Sequence, residues 1–227
     1  MTQTVQTPSH YWLDPKACPV PAGKVVCVGR NYVAHAQELG HAVPDRPLLF
    51  MKPREAIRRF DEGIDWPEQE GCCHHETELT VLVGAPLCKA NAEQARDAVA
   101  GIGVGLDLTL RDLQDRLKKA GHPWERAKAF DGSAVLSPFI PVSDVNPDWQ
   151  SLKFGLIVNG MPRQSGDARL MLTPIIVLLV EISAVFTLMP GDVVMTGTPE
   201  GVAALQHGDQ LELQLDRRSF RTWVRQP

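Results

Sequence analysis

The chain reads as a β-rich α/β fold, a mixed and strongly curved β-sheet with a few peripheral helices. Short β-branched or apolar runs closed by glycine or turn residues recur at 24–29, 76–83, 101–106, 154–158, 192–196 and 210–215. Helical periodicity is confined to a few short stretches between them, with no repeat and no low-complexity tract. A length of 227 residues with 44% hydrophobic content supports one substantial core, so a single domain over 24–227 is expected behind a proline-punctuated lead at 1–23.

The run KVVCVG at 24–29 is a buried strand because its β-branched residues end on glycine. Residues 31–39 (NYVAHAQEL) make about two helical turns, which place His35 and Glu38 on one face. Residues 53–73 are charged, carry Pro and Gly and hold no period, which predicts a loop or irregular hairpin. In ETELTVLV at 76–83 a strand begins in alternation and turns wholly apolar, so Glu76, Glu78 and Thr80 share a face. A short helix fits 92–100, and the glycine-rich strand 101–106 implies close approach by another backbone or a ligand. Asp107 then stands where that strand gives way to a helix over 110–120, stopped by Gly121 and Pro123. A further helix is expected around 174–183, and Asn159-Gly160 and Pro190-Gly191 mark turns.

A net charge of −4 offers no reason to expect nucleic acid or an anionic membrane as partner, and a small-molecule function is favoured. Five cysteines (Cys18, Cys27, Cys72, Cys73, Cys88) form no CxxC pair and fit a reducing compartment. Cys72, Cys73, His74 and His75 look like a zinc cluster, but neighbours on an extended chain point to opposite faces. With no basic-then-apolar leader and no apolar run able to span a bilayer, a cytoplasmic location is expected.

Glu76 and Glu78 bring like charges together in a segment heading for the core, which a bound cation would relieve; an edge strand with two solvated glutamates is the competing reading. Asp107 follows an apolar strand where a lone buried carboxylate would be costly, and it equally fits a helix N-cap. Three hard oxygen donors suit Mg2+ or Mn2+ better than zinc. His35 and Glu38 can form a base dyad or an ordinary solvated pair.

The strings GRNYVAHAQELG, LLFMKP, HHETEL, GVGLDLTLRDLQ, PWERAKAFDGS, VNGMPRQSG and GDVVMTGTPEGV, in this order, resemble the fumarylacetoacetate hydrolase superfamily and cover most of 24–205. The likeness is to its short members of the acylpyruvate hydrolase, oxaloacetate decarboxylase and 2-hydroxyhepta-2,4-diene-1,7-dioate isomerase type. It implies the curved sheet roll of that family's C-terminal domain, with one Mg2+ or Mn2+ per chain on Glu76, Glu78 and Asp107. His35 and Glu38 become a lid dyad that activates water, and Lys128 the lysine facing a developing enolate. Arg30, Tyr32, Lys52, Arg111, Gln114 and Thr198 become substrate-binding residues. A homodimer is implied as well. The stretch 54–73 departs from the family pattern and is expected to reshape substrate access, whereas the departure at 171–174 bears only on packing.

The substrate implied is a small 2-oxo acid. The resemblance puts hydrolysis of acylpyruvates (fumarylpyruvate- or acetylpyruvate-like) through enolpyruvate first, because both His35 and Glu38 are present. Oxaloacetate decarboxylation or tautomerisation, or a 4-hydroxyphenylacetate-pathway isomerisation/decarboxylation, is the alternative. A silent metal- and 2-oxo-acid-binding protein stands behind both.

Overall fold

The computed structural model describes residues 8–14, 20–38, 40 and 42–226. Cys18, Leu39 and much of the expected lead at 1–23 lie outside them. What is described of the lead pairs Ser9–His10 with Val20–Pro21.

The largest sheet has eight strands. Its main path runs Leu48–Lys52, Val25–Gly29, Val193–Met195, Thr77–Val83, Val99–Asp107, Ala134–Leu136 and Ile57–Arg59, with Ile140–Pro141 also pairing along Val99–Asp107. Val193–Met195 with Val25–Gly29, and Ala134–Leu136 with Ile57–Arg59, are parallel; the other pairs are antiparallel. The sheet is therefore mixed, as expected.

Its curl follows from the connection between its edges. Leu48–Lys52 and Ile57–Arg59 are the two ends of the path, yet only five steps of chain separate Lys52 from Ile57. Laid flat, the path would hold its edges about 29 Å apart at ordinary strand spacing, whereas five residues span at most about 18 Å. The sheet has to roll into a half-barrel.

A second, antiparallel sheet stacks Met161–Asp167, Lys153–Val158, Gln210–Leu215 and Arg218–Trp223. The Asn159-Gly160 turn has positive φ at both positions (51° and 78°), which matches the twist of the hairpin it closes. A small third sheet places Cys73–His75 between Ala203–Ala204 and Thr109–Leu110. Glu76 and Asp107 thus both stand where the chain passes from the small sheet into the large one.

Helices are few: Val33–Glu38, Ala92–Asp97, Arg111–Ala120, Glu125–Lys128 and Ile175–Val185. Asn91 caps Ala92–Asp97 with a full capping box. Residues 53–73 are not simply a loop. Three short 3-10 turns flank Ile57–Arg59, an edge strand that its charge pattern concealed, and Phe60 and Ile64 are buried.

Candidate active site

Glu78 pairs across the sheet with Gly105 and Thr80 with Gly103, so these residues share a face, and the Asp107 N–H donates to the Glu76 carbonyl at 2.8 Å. The glycines are required by space. A Cβ at Gly103 would stand 2.8 Å from Thr80 Oγ1, and one at Gly105 2.8 Å from the Val135 carbonyl oxygen. Thr80, Ser137 and Phe139 fill the space over these glycines, and Glu78 and Asp107 follow on the same face, where Glu76 joins them.

The ligand atoms of Glu76, Glu78 and Asp107 lie within 4.8 Å of one another, and the residues are 5%, 1% and 1% exposed. Among the described residues this is the only such convergence of His, Cys, Asp or Glu side chains, so no cluster forms around Cys72 to His75. Buried carboxylates this close are costly without positive charge. Lys128 Nζ donates to Glu76 Oε2 at 2.8 Å and Asp107 Oδ2 at 2.7 Å, Arg111 pairs with Glu76 Oε1, and Lys52 Nζ lies 2.8 Å from Asp107 Oδ1.

Glu78 is the exception. Its Oε2 accepts the Gly197 N–H at 2.7 Å, and it has no ion pair among the described residues. Burial, then the Asp107 and Glu76 charges, push its carboxyl well up. Burial acts on Glu76 in the same direction, but Lys128, Arg111 and His35 outweigh it and hold that carboxyl well below the usual range. Burial would depress Lys128, yet Asp107 and Glu76 hold its ammonium above the ordinary lysine value. Three carboxylates of hard oxygen donors, one of them without a cation, fit a divalent ion.

His35, 5% exposed, lies on the pocket wall with Nδ1 3.3 Å from Glu38 Oε2. Glu38 Oε1 accepts the Gly201 N–H at 3.0 Å, which ties the short helix Val33–Glu38 to the loop after Val193–Met195. Gly197 in that loop has φ +97°, and a Cβ there would meet Asn31 Cβ at 2.6 Å. Thr198 follows it into the pocket wall.

Most residues expected at the site are brought together. Arg30, His35, Glu76, Glu78, Asp107, Arg111, Gln114, Lys128 and Thr198 all line one pocket of about 30 Å³. Three lie off its wall: Glu38, which reaches the site through His35, and Lys52 and Tyr32. Lys52 is wholly buried and does not line the pocket, its Nζ also reaching Ser133 Oγ at 3.0 Å and the Lys128 carbonyl, so that it buttresses Asp107 from within the fold. Tyr32 is 2% exposed and packs edge-on against Phe154, off the pocket wall. Asp107 is not a helix cap: Arg111–Ala120 starts after Leu110 with no side-chain cap. None of residues 54–73 lines the pocket itself.

Sequence reasoning missed Gln164 and Lys118. Gln164 accepts from the His75 ring Nδ1–H and the Thr77 N–H at 3.0 Å each, and donates to Thr198 Oγ1 at 2.9 Å, joining the start of the Thr77–Val83 strand to the Thr198 loop. It lies within the string VNGMPRQSG, but nothing local marks it as buried. Lys118 lines the pocket from the face that carries Arg111 and Gln114, and its spacing was the available signal.

Residues 24–222 match the family described as fumarylacetoacetate (FAA) hydrolase C-terminal. The chain is 50% identical over 204 residues to the oxaloacetate tautomerase YcgM of Escherichia coli, covering 90% of this chain and 93% of that one. It is 42% identical to the mitochondrial oxaloacetate tautomerase fahd-1 of Caenorhabditis elegans, over 86% and 90% of the two chains. Among solved structures, it superimposes with a TM-score of 0.92 and 35% identity on the fumarylpyruvate hydrolase of Pseudomonas aeruginosa in complex with Mn2+ and pyruvate, covering 99% and 98%. With the rolled mixed sheet and the carboxylate triad at its mouth, these matches show that the chain belongs to the fumarylacetoacetate hydrolase family.

Proposed function

We propose that this protein is a divalent-metal-dependent oxaloacetate tautomerase, interconverting the enol and keto forms of that 2-oxo acid. The observation that carries the proposal is His35. It is the one imidazole on the pocket wall among the described residues, and Glu38 holds its Nδ1. Nε2 is then the atom left to exchange a proton. The relatives named oxaloacetate tautomerase support this reading over the acylpyruvate hydrolysis that the motifs put first.

Glu76, Glu78 and Asp107 would hold one Mg2+ or Mn2+, which supplies Lewis-acid polarisation of a chelating 2-oxo acid. His35 delivers or removes the proton at substrate C3 while the C2 hydroxyl loses or regains its own; no electrons change hands. Glu38 orients the ring. Lys128, charged and buried, stabilises negative charge developing on the substrate oxygen. Lys52, Arg111 and Lys128 already pair with Glu76 and Asp107, so a divalent ion on the triad adds positive charge that suits an anionic substrate such as oxaloacetate.

The test follows decay of the enol absorbance after oxaloacetate enol is added to protein with Mg2+, Mn2+ or EDTA. Acceleration that EDTA abolishes, and that His35→Ala lowers by about 100-fold, is expected. Ketonisation at the spontaneous rate in every arm would sink the proposal.

A second reading, hydrolysis of acylpyruvates, has its own support. A groove of about 330 Å³ shares Leu48, Phe50, Trp124 and Lys128 with the carboxylate pocket and could take an acyl chain. Pyruvate release from fumarylpyruvate or acetylpyruvate with no effect on ketonisation would favour it.

A homodimer is proposed as well. The helix Ile175–Val185 is apolar but for Glu181 and Ser183 and leaves Val177 49% and Val185 63% exposed. Sedimentation at micromolar concentration tests this, a monomer being the contrary result. No helix among the described residues is long and apolar enough to cross a membrane.

A further inference from the structure

We propose that Lys118 selects dicarboxylic 2-oxo acids, its ammonium taking the carboxylate remote from the end that the Glu76, Glu78 and Asp107 pocket receives. The inference deepens the oxaloacetate reading and rests on it for the chemistry of the substrate.

Three cations on the pocket wall are candidates for that carboxylate besides Lys128. Arg111 is committed: one terminal nitrogen pairs with Glu76 Oε1 and the other donates to Gln114 Oε1 at 2.8 Å. Lys118 is not. Its Nζ donates to the same Gln114 Oε1 at 3.2 Å and stands 5.4 Å from the centre of the Trp124 ring, and among the described residues no carboxylate pairs with it. Two cations crowding one neutral amide oxygen leave positive charge unspent on that wall.

The helix frame fixes where this charge sits. Arg111, Gln114 and Lys118 are spaced three and four apart, one row on one face of Arg111–Ala120, starting at the metal ligand's partner and moving outward. Burial, then the Arg111 charge, lower the Lys118 pKa to about 8, more than the negative charges of Asp115 and Glu76 offset, as befits an ammonium partly stripped of water. Arg30, the remaining cation, is shared with a neighbouring cavity lined by Asp45, Arg46 and Thr173, whereas Lys118 faces the carboxylate pocket alone. A second carboxylate would complete the pairing that the chain itself omits.

Calorimetric titration of the Mg2+-loaded protein with two inert probes tests this: oxalate, which carries only the chelating end, and 3,3-difluorooxaloacetate, which adds the remote carboxylate. Lys118→Met should weaken the second probe by about 10- to 100-fold and leave oxalate within about twofold; Lys118→Arg should restore most of the loss. In turnover, Lys118→Met should raise KM for oxaloacetate with kcat little changed, and leave the 4-methyl ester unaffected. Equal loss for both probes, no loss for either, or the selective loss appearing in Arg30→Met instead would overturn the assignment. Selective probe loss in a protein that fails to accelerate ketonisation would support Lys118 while removing the proposed reaction.

Discussion

Lys52 Nζ lies 2.8 Å from Asp107 Oδ1, joining one edge strand of the rolled sheet to an inner strand near its other edge. Both groups are sealed from solvent, at 0% and 1% exposure. The contact exists because the sheet curls, and it holds one Asp107 oxygen while Lys128 holds the other.

Removing that charge should be costly. Lys52→Met leaves Asp107 only its Lys128 ion pair and frees the Ser133 and Lys128 oxygens, so a loss of about 3 kcal/mol is expected in denaturant unfolding. A loss under about 1 kcal/mol would show that Asp107 does not depend on it.

Glu78 should behave oppositely in metal-free protein. Its folded-state carboxyl titrates above the ordinary value, so folding binds an extra proton and stability declines as pH rises from the usual carboxylate range toward the raised value. Glu78→Gln should therefore unfold at a higher temperature than wild type in EDTA at neutral pH. It should also lose most of the stabilisation that saturating Mn2+ gives wild type, about 2.7 kcal/mol at a hundred times Kd. Differential scanning calorimetry reads both, and an unchanged Mn2+ shift would remove Glu78 from the ligand set.

Glu38 has a double duty, orienting His35 and docking Val33–Glu38 onto Gly201. Glu38→Ala should raise amide exchange across 33–38 and lower kcat by about 10- to 100-fold, while leaving Mn2+ affinity intact. Unchanged exchange would show that the helix is held by its other contacts.

Lys118 predicts a pH limit. A lysine lowered to about 8 is fully charged below that value and loses its proton as pH climbs through it, with Arg111 and Lys128 pressing it down and Asp115 and Glu76 holding it up. The kcat/KM for oxaloacetate should fall above pH about 8, and the fall should be absent for the 4-methyl ester and in Lys118→Arg. A shared decline for both substrates would assign it to another group.

What the sequence alone determined about this protein is its local geometry. The period of two in ETELT puts Glu76 and Glu78 on one face, and the same period runs from Gly101 through Gly103 and Gly105 to Asp107. Helical spacing joins His35 to Glu38 and Arg111 to Gln114. These features depend on neighbours a few positions away, so a string of residues displays them, and the family resemblance rests on the same strings.

Only the tertiary structure decided how those pieces meet. Nothing local in MKP marks Lys52 as buried, and the resemblance made it a pocket residue; it becomes a buried buttress because a short connection forces two sheet edges together. Gln164 joins Thr77 to Thr198 across separations of 87 and 34 residues, and Ile57–Arg59 becomes a strand only because Ala134–Leu136 offers its edge. The triad's charge balance has the same origin. Whether two glutamates on a strand are solvated or hold a metal depends on Arg111, Lys128 and Asp107 arriving from elsewhere in the chain, and it is the rolled sheet that brings them there.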